Sequence, residues 1–353
     1  MYTIRMYSKA DMAQGHGVLS AYEEQKSLVK RYLSDEFKVI ERGNGKCTLN
    51  HFHTINPGFL IQAWKGKMRG TKNIGYVHFL PETLKNSIHL PRPIQWLFYK
   101  YVLFFYRNMD VLVTVNPYFV DVLEKKYHFQ REKIKYIPNM VSSKNFFPLN
   151  PTPNGKRELR RHFHLQQDAF TVLCVGQLQQ RKGVLDFIEI AKKMPEVQFV
   201  WAGDFSFGRI SKDYDQIREA VAAPPANVIF LGLVKRSEMN YLYNACDIMM
   251  LPSYEELFPM TVLEAMQCEI PILVRDLELY DDILFNYVQY ADSVEEFIMY
   301  IQKLAREKKF YKYCCECAAL GADEYSEERV AGKWREYYIS QIKQINLKNS
   351  MKS

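Results

Sequence analysis

Short apolar runs alternate with amphipathic segments through the second half of the chain. The stretch 171–194 shows the repeating unit: a β-branched apolar run, a glycine turn, and a helical pattern with apolar residues at 184, 185, 187, 188 and 190. Further apolar runs follow at 197–204, 227–234, 246–253 and 270–274. This alternation predicts a doubly wound parallel sheet, in which ligands bind at the carboxyl ends of the strands.

The first half repeats this pattern with other residues. A short strand predicted at 3–8 precedes two glycines, the second of them Gly17, and a helix predicted from about 19 to 33. Gly17 would let a ligand approach the backbone closely, although a pair of glycines is more often only a turn. His78 stands at another predicted strand end. Because that edge of the sheet binds ligands, we predict a functional role for His78 rather than a purely structural one.

Length and composition indicate two domains. At 353 residues the chain exceeds what one hydrophobic core usually holds, and 48% apolar residues are enough for two cores. Prolines, asparagines and serines cluster at 137–157, which predicts the boundary there. We expect one domain at 1–145, a second at 155–325, and a final helical segment at 326–353.

Two carboxylates, Glu256 and Glu264, lie eight positions apart around a predicted helix start. Pro259 has the fixed φ that suits a first helical turn, and ordinary helix formers follow it. The pair can therefore bracket a ligand whose negative part rests on the free N–H groups of the helix start. A sugar nucleotide fits, because carboxylates accept hydrogen bonds from ribose or hexose hydroxyls. The alternative is a surface loop with two solvated glutamates.

Arg181 and Lys182 fall where the helix of the first repeating unit is predicted to begin. Cations at a helix N-terminus oppose the helix dipole unless an anion lies between them and the helix. A bound diphosphate would supply that anion. A solvated basic pair at a turn is the alternative interpretation.

Both segments resemble the signatures of one enzyme family. The segment 253–266 resembles the E-x7-E signature of retaining glycosyltransferases of family 4, and 171–194 resembles the V-G-R-L-x-x-x-K-G pattern of the same family. Leu257 and Pro259 replace two glycines of the signature, and Gln177 stands where the family usually has arginine. Pro259 removes one backbone N–H that could point at a phosphate, and Arg181 could compensate for the arginine missing at 177.

The resemblance covers nearly the whole chain and is stronger over 137–290. It implies an α/β chain with the GT-B fold, in which two Rossmann-like doubly wound domains face each other across a cleft. It also implies that the C-terminal helix at 326–353 could cross back to the first domain. The activity implied is that of a retaining, nucleotide-sugar-dependent hexosyltransferase.

The resemblance further implies a UDP-sugar co-substrate and no required cofactor or metal. Departure of the nucleotide leaves negative charge on the diphosphate, which Arg181, Lys182 and the helix start at 258–261 would stabilise. The implied donor-binding residues are Gly17, Arg181, Lys182, Val234, Phe258, Met260, Thr261 and Glu264, with His78 and Glu256 as the implied catalytic residues.

Roles within that set also follow from the resemblance. Glu256 would hold hydroxyls of the transferred hexose, Glu264 would hold the ribose, and His78 would orient the sugar from the other domain. Val234 and its neighbour Leu233 lie in the loop that contacts the nucleotide base in the family, although packing at a strand end explains them at least as well. Retention by same-face attack is taken from the family, because no carboxylate nucleophile is evident.

Charge is divided unevenly along the chain. Residues 1–150 contain 22 lysines and arginines against 11 acidic residues, a net charge of +11, whereas the remainder is net acidic. Four of these cations, Lys65, Lys67, Arg69 and Lys72, cluster beside the indole of Trp64. Such a cluster suits an anionic membrane surface, where each nearby cation contributes about 1 kcal/mol. No nucleic-acid-binding motif accompanies the basic excess, so we predict no nucleic-acid partner.

The aromatic segment 91–107 has two interpretations. Its rings could lie at the headgroup level of a bilayer, or they could form a buried core helix. The apolar part at 94–106 is interrupted by Gln95 and Lys100, and its 13 residues are too few to span a membrane.

Within the family, the segments 6–25, 76–91 and 91–107 of the first domain resemble one branch. Its members, from Gram-positive bacteria, add a second sugar to glucosyl-diacylglycerol. This implies a glycolipid acceptor and a UDP-galactose donor, with UDP-glucose left open. A cell-wall or polysaccharide acceptor, a sugar-nucleotide epimerase and a non-catalytic membrane-binding protein are the alternatives. The seven cysteines lack zinc-site spacing and no signal peptide is evident, which indicates reduced thiols, no metal site, and a cytoplasmic enzyme peripheral on the inner face of the membrane.

Overall fold

The computed structural model describes residues 1–9, 17–41, 43, 45–81, 91–150, 152–205 and 214–350, without the side chains of 348 and 349. Within these ranges the chain forms two compact units. The first contains the described chain up to Met140 and again from Ser326 to Ser350, and the second contains the described part of Val141–Tyr325.

The first unit is built on a six-stranded parallel sheet. Its strands are β1 (Tyr2–Tyr7), β2 (Phe37–Ile40), β3 (Leu49–Phe52), β4 (Lys72–Val77), β5 (Val111–Thr114) and β6 (Ile134–Tyr136). Their spatial order is β2-β1-β3-β4-β5-β6. The helices are α1 (Gly17–Tyr32), α2 (Pro57–Met68), α3 (Arg92–Arg107) and α4 (Pro117–Asp121), with a π turn at Val122–Lys126 and a 3-10 turn at Arg131–Lys133.

The second unit has its own six-stranded parallel sheet. Its strands are β7 (Thr171–Val175), β8 (Gln198–Ala202), β9 (Val228–Gly232), β10 (Ile248–Leu251), β11 (Ile272–Arg275) and β12 (Gln289–Ala291). Its helices are α5 (Pro153–His162), α6 (Val184–Lys193), α7 (Tyr214–Ala222), α8 (Arg236–Ala245), α9 (Met260–Gln267), α10 (Val294–Arg306) and α11 (Lys308–Glu324), with 3-10 turns at Gln180–Lys182, Glu278–Tyr280 and Phe285–Tyr287.

The order of the second sheet, β12-β11-β10-β7-β8-β9, reverses between β7 and β10. Open α/β sheets bind ligands outside the carboxyl ends of the strands at such a switch point. The strands are apolar on both faces because helices cover both; in α6, for example, the Phe187 ring packs edge-on against Phe199 and Trp201, at centroid distances of 5.6 and 5.1 Å.

The last helix, α12 (Glu327–Ser350), packs on the first unit. Glu327 forms an ion pair with Arg31 of α1, and Gln25 Nε2 donates a 3.0 Å hydrogen bond to the Tyr338 hydroxyl. Trp334 and Tyr338 are fully buried. The helix therefore supplies part of the core of the first unit.

The predicted doubly wound α/β fold is confirmed for each sheet. Within the described ranges, no helix has the length and apolar character needed to cross a bilayer. All seven cysteines are free thiols. The helix predicted at 19–33 spans Gly17–Tyr32, a shift of the size expected at helix ends.

Candidate functional site

The loops that follow β7 and β10 meet at the switch point of the second sheet. The chain after β7 forms a 3-10 turn at Gln180–Lys182 and then enters α6 through Gly183, whose φ of +73° is left-handed. A Cβ on Gly183 would lie 2.3 Å from the carbonyl oxygen of Pro252, which follows β10. The two loops pack backbone to backbone at a position where only glycine fits.

Lys182 and Glu256 form a buried ion pair across these loops. The Lys182 ammonium donates to Glu256 Oε1, and the Glu256 side chain is only 8% exposed. Burial acts to raise the pKa of Glu256, but the charges of Lys182 and Arg181 outweigh it and hold that pKa below its usual value. Burial lowers the pKa of Lys182, against the opposing charge of Glu256. Two predicted residues from distant parts of the sequence are thus brought together.

Arg181 lies beside this pair. Its Nε donates to Gln179 Oε1 at 2.9 Å, and one terminal nitrogen donates to the Glu255 carbonyl at 3.3 Å. The backbone N–H of Tyr254 in turn donates to the Arg181 carbonyl at 2.8 Å. The guanidinium is half-buried, so it can still bring positive charge to an anion at this edge of the sheet.

Glu264 is held on α9 by two residues that the sequence did not reveal. The carboxylate is 4% exposed; Arg236 lies 2.8 Å from Oε1, and the Tyr243 hydroxyl donates to Oε2 at 2.9 Å. Both partners belong to α8. The only sequence signal for Arg236 was its position two residues after Val234, between the apolar runs 227–234 and 246–253.

Helix α9 begins slightly later than the sequence suggested. Pro259 is the residue just before the helix, with ψ of 124°, and the first helical residue is Met260 rather than a residue at 258–259. The Phe258 ring is buried against Tyr325, with centroids 4.9 Å apart, so its side chain is part of the core. The backbone N–H groups of Met260 and Thr261, in the first turn of α9, could therefore donate hydrogen bonds to an anion.

A second group of side chains fixes the loop that carries Glu256. Arg275, at the end of β11, is buried and donates to the Pro252 carbonyl at 3.1 Å and to the Asp292 carbonyl at 3.0 Å. It also forms an ion pair with Asp186 and lies over the Tyr254 ring, 4.0 Å from the centroid. Arg275 follows directly on an apolar run in the sequence, which gave no sign of this anchoring role.

The remaining donor-site predictions lie at other strand ends. Val234 lies just past β9 and is half-buried, whereas the neighbouring Leu233 is 55% exposed. His78 directly follows β4 in the first unit and is buried, which lowers its pKa to about 3. Gly17 is the first residue of α1, but the rest of its glycine loop lies outside the described residues.

Helices α2 and α3 expose apolar side chains beside cations. The exposed apolar residues are Ile61, Trp64 and Met68 on α2 and Ile94, Trp96, Leu97 and Phe104 on α3. The two helices are linked by Trp64 Nε1, which donates to Asn108 Oδ1 at 2.9 Å. Lys65, Lys67 and Arg69 are exposed near the end of α2, whereas Lys72 lies in β4 and donates to Gln344 of α12 at 2.5 Å.

The helix α3, within the segment 91–107, has both a buried side and exposed apolar residues. One side of α3 is buried through Val102, Phe105 and Tyr106, while other positions carry the exposed apolar residues. The helix therefore contributes to the core and also presents apolar surface. Among the residues that the structure describes, no cluster of three or more His, Cys, Asp and Glu side chains could hold a metal ion.

Two family models match the chain. One described as "Glycosyl transferases group 1" matches residues 155–320, and one described as "Glycosyltransferase Family 4" matches residues 24–144. An alpha-galactosylglucosyldiacylglycerol synthase of Streptococcus pneumoniae is 39% identical over 96% of this chain and 89% of its own length. A processive diacylglycerol alpha-glucosyltransferase of Acholeplasma laidlawii is 29% identical over 65% of this chain and 68% of its own length.

Solved structures extend the likeness to the fold. HepE of Anabaena in complex with UDP and glucose has a TM-score of 0.75 at 14% identity, covering 96% of this chain and 100% of that one. Sucrose-phosphate synthase of Thermosynechococcus elongatus has the same TM-score at 15% identity, covering 96% and 99%. At these identities the two structures bear on the fold alone.

Proposed function

The chain belongs to the glycosyltransferases of family 4, and on that premise we propose that it transfers a hexose from a UDP-sugar to glucosyl-diacylglycerol with retention at the anomeric carbon. The transferred hexose is galactose, and the product is a galactosyl-glucosyl-diacylglycerol. The proposal for the acceptor is supported by the Streptococcus pneumoniae relative, whose likeness extends through both units.

The observation that carries the donor half of the proposal is the meeting of Arg181, Lys182 and Glu256 at the switch point of the second sheet. Loss of the nucleotide leaves negative charge on the diphosphate, and preorganised cations stabilise such charge without reorganising. The N–H groups of Met260 and Thr261 would add to this stabilisation. These two cations and two N–H groups therefore complement the negative charge that develops on the diphosphate.

Further roles follow from the two carboxylates. Glu256 is paired with Lys182 and would accept hydrogen bonds from the transferred hexose, while Lys182 turns toward the diphosphate. Glu264, already fixed by Arg236 and Tyr243, would accept hydrogen bonds from the ribose. His78 would orient the transferred sugar. Because only interactions that strengthen in the transition state raise kcat, Glu256 and the two cations matter most for turnover.

The exposed residues of α2 and α3 suit a peripheral position on the inner surface of an anionic membrane. Cations draw the protein to the headgroups, and Trp64, Trp96 and Leu97 can enter the interface. A lipid acceptor requires such contact, because its sugar headgroup stays at the bilayer surface.

The test is incorporation of label into lipid. Purified protein is incubated with radiolabelled UDP-galactose or UDP-glucose and vesicles that contain glucosyl-diacylglycerol, with diacylglycerol vesicles as the control. We expect label from UDP-galactose in the organic phase only when glucosyl-diacylglycerol is present, and an α-anomeric product by NMR. Label that enters only water-soluble material, or none with either donor, would contradict the proposal.

A further inference from the structure

Three histidine rings of the first unit form a row beside the carboxyl ends of β3 and β4, in which His53 and His78 are stacked and His51 is tilted against His53. His51 lies in β3, His53 directly follows β3, and His78 directly follows β4. The ring centroids of His51 and His53 are 4.4 Å apart, and those of His53 and His78 are 5.6 Å apart. Nδ1 of His53 lies 3.4 Å from Nε2 of His78, which makes a long hydrogen bond between two neighbouring rings.

The ring of His53 is fixed by its neighbours. It is 1% exposed, it stacks on Tyr76 at 5.1 Å and 18°, and Tyr22 of α1 meets it edge-on at 5.0 Å. Burial lowers the pKa of His53 well below its usual value and that of His78 to about 3, so both rings are neutral at neutral pH. Each ring then has one N–H donor and one acceptor nitrogen.

The other nitrogen of His53 decides which ring donates. His53 Nε2 is buried and has no hydrogen-bond partner within the described residues. Among buried backbone groups an N–H without an acceptor is rarer than an acceptor without a donor, and we apply the same preference to the ring nitrogens of His53. The hydrogen of His53 therefore sits on Nδ1 and is donated to Nε2 of His78. As a neutral ring, His78 must then carry its own hydrogen on Nδ1.

We propose that His53 is a positioning residue that holds His78 in the Nδ1–H tautomer and in a fixed orientation. His78 Nδ1 then donates a hydrogen bond to an oxygen of the bound UDP-sugar. This inference rests on the role of His78 in the proposed function. It explains why a histidine, rather than an apolar residue of the same size, occupies a buried position beside His78: the hydrogen bond on one ring nitrogen determines which form the other nitrogen takes.

Three variants separate positioning from packing. His53→Phe keeps a flat ring in the stack but has no N–H, and His53→Asn places an amide N–H near the position of Nδ1. His51→Phe is the matched control, because His51 belongs to the same stack but its Nδ1 lies 3.2 Å from the Tyr338 hydroxyl instead of facing His78. We expect His53→Phe to lower kcat about 10- to 100-fold, the effect seen for residues that orient metal-binding histidines, with KM for the UDP-sugar near wild type. His53→Asn recovers most of kcat, and His51→Phe keeps it.

A spectroscopic measurement tests the tautomer without any activity. In protein with 15N-labelled histidines, with the His78 signals assigned through His78→Phe, we expect a protonated Nδ1 and an unprotonated Nε2. This pattern persists in His53→Asn and His51→Phe and is lost in His53→Phe. An unchanged His78 signal in folded His53→Phe would overturn the inference.

The kinetic outcomes distinguish this inference from the proposed function. If His78→Phe transfers sugar at the wild-type rate, the role of His78 is wrong and the inference fails with it. If His78→Phe is inactive but His53→Phe has wild-type kcat, only the inference fails. An equal loss of kcat in His53→Phe and His51→Phe, without recovery in His53→Asn, would show that His53 acts only through packing.

Discussion

The backbone N–H of Tyr254 donates a hydrogen bond to the carbonyl oxygen of Arg181, and this 2.8 Å contact joins the two loops that carry the candidate donor site. The Gly183–Pro252 approach and the anchoring of the second loop by Arg275 act at the same place. The cation pair and Glu256 are therefore held as one structural element, and a backbone change in one loop should displace the other.

The substitution Gly183→Ala tests the contact between these two loops. Alanine at φ +73° costs about 1–2 kcal/mol, and its Cβ would also meet the Pro252 carbonyl. Gly232→Ala is the matched control, because Gly232 has φ +67° but a Cβ added there would have no heavy atom within 4 Å beyond its chain neighbours. We expect Gly183→Ala to lower the free energy of unfolding, measured with urea, by clearly more than Gly232→Ala does. Equal destabilisation would show that the two loops adjust freely.

Loss of either cation should slow transfer. We expect Lys182→Ala and Arg181→Ala each to cost about 2–4 kcal/mol of transition-state stabilisation, comparable to the loss of an oxyanion donor. The measurement is kcat/KM for the UDP-sugar at subsaturating donor. Lys192→Ala, at the exposed end of α6, is the control and should leave kcat/KM unchanged. Full activity in both single variants would refute the phosphate-binding assignment.

Replacing Glu256 and replacing Glu264 should affect different steps, turnover in the first case and UDP binding in the second. Glu264→Gln is expected to weaken the binding of UDP, whereas Glu256→Gln should leave UDP affinity nearly intact and lower kcat, because only Glu256 is assigned to the transferred sugar. Calorimetry with UDP measures the first effect and steady-state kinetics the second. Tyr243→Phe, which removes one hydrogen bond to Glu264, should lie between wild type and Glu264→Gln in UDP affinity. Equal loss of UDP affinity in both glutamine variants would show that the division of roles is wrong.

Membrane binding should depend on charge and on apolar contact together. At 1 M salt the Debye length falls to about 3 Å, so sedimentation with anionic vesicles should drop steeply but not vanish. Replacing Lys65, Lys67, Arg69 and Lys72 with glutamine should reduce sedimentation and activity on vesicles, while UDP affinity stays unchanged. We expect most of the effect from the first three, since Lys72 is bound to Gln344.

The control for that variant is the triple replacement of Lys308, Lys309 and Lys312, which are exposed on α11 of the second unit. It removes a similar charge without touching α2. Sedimentation of the quadruple variant at the wild-type level would place the membrane contact elsewhere.

The histidine stack should make the first unit sensitive to mild acid. Burial lowers the pKa of His51 and of His78 to about 3, against about 6.5 in an unfolded chain. Between these values the unfolded chain binds more protons, so stability is complete above pH 6.5 and falls as the pH drops toward 3, by about 1.4 kcal/mol per pH unit for each histidine. The measurement is urea unfolding of a variant in which Trp64, Trp96 and Trp201 are replaced by phenylalanine, so that Trp334 is its only tryptophan. Its fluorescence should show this slope between pH 7 and 5.5. His51→Phe should reduce the slope, and an unchanged slope would contradict the account.

The fold could be predicted because its signals are local. Apolar runs and helical periodicity depend on neighbouring residues, and the predicted α/β fold is confirmed. Arg236, Tyr243 and Arg275 escaped prediction because their roles depend on contacts between elements far apart in the sequence. The site assignments themselves stay predictions, although Lys182 and Glu256, which were chosen on separate motifs, do lie in contact.

The basic cluster shows the same limit on a smaller scale. Lys65 and Lys72 looked equivalent in the sequence because they are only seven positions apart. In the structure Lys65 is exposed on α2, while Lys72 belongs to a strand and contacts α12. Charge counts along a chain cannot tell whether a neighbouring element will cover a side chain.

The position of α12 imposes an order on biosynthesis. Val141–Tyr325 must leave the ribosome before α12 can bring Trp334 and Tyr338 to the first sheet. At about 5–20 residues per second, this delay lasts roughly 10–40 s. During that time the face that includes His51 and Tyr76 has no helix α12 to cover it, and exposed apolar surface of this kind invites aggregation. The second unit can thus complete its core before the first, although the first unit is synthesised earlier.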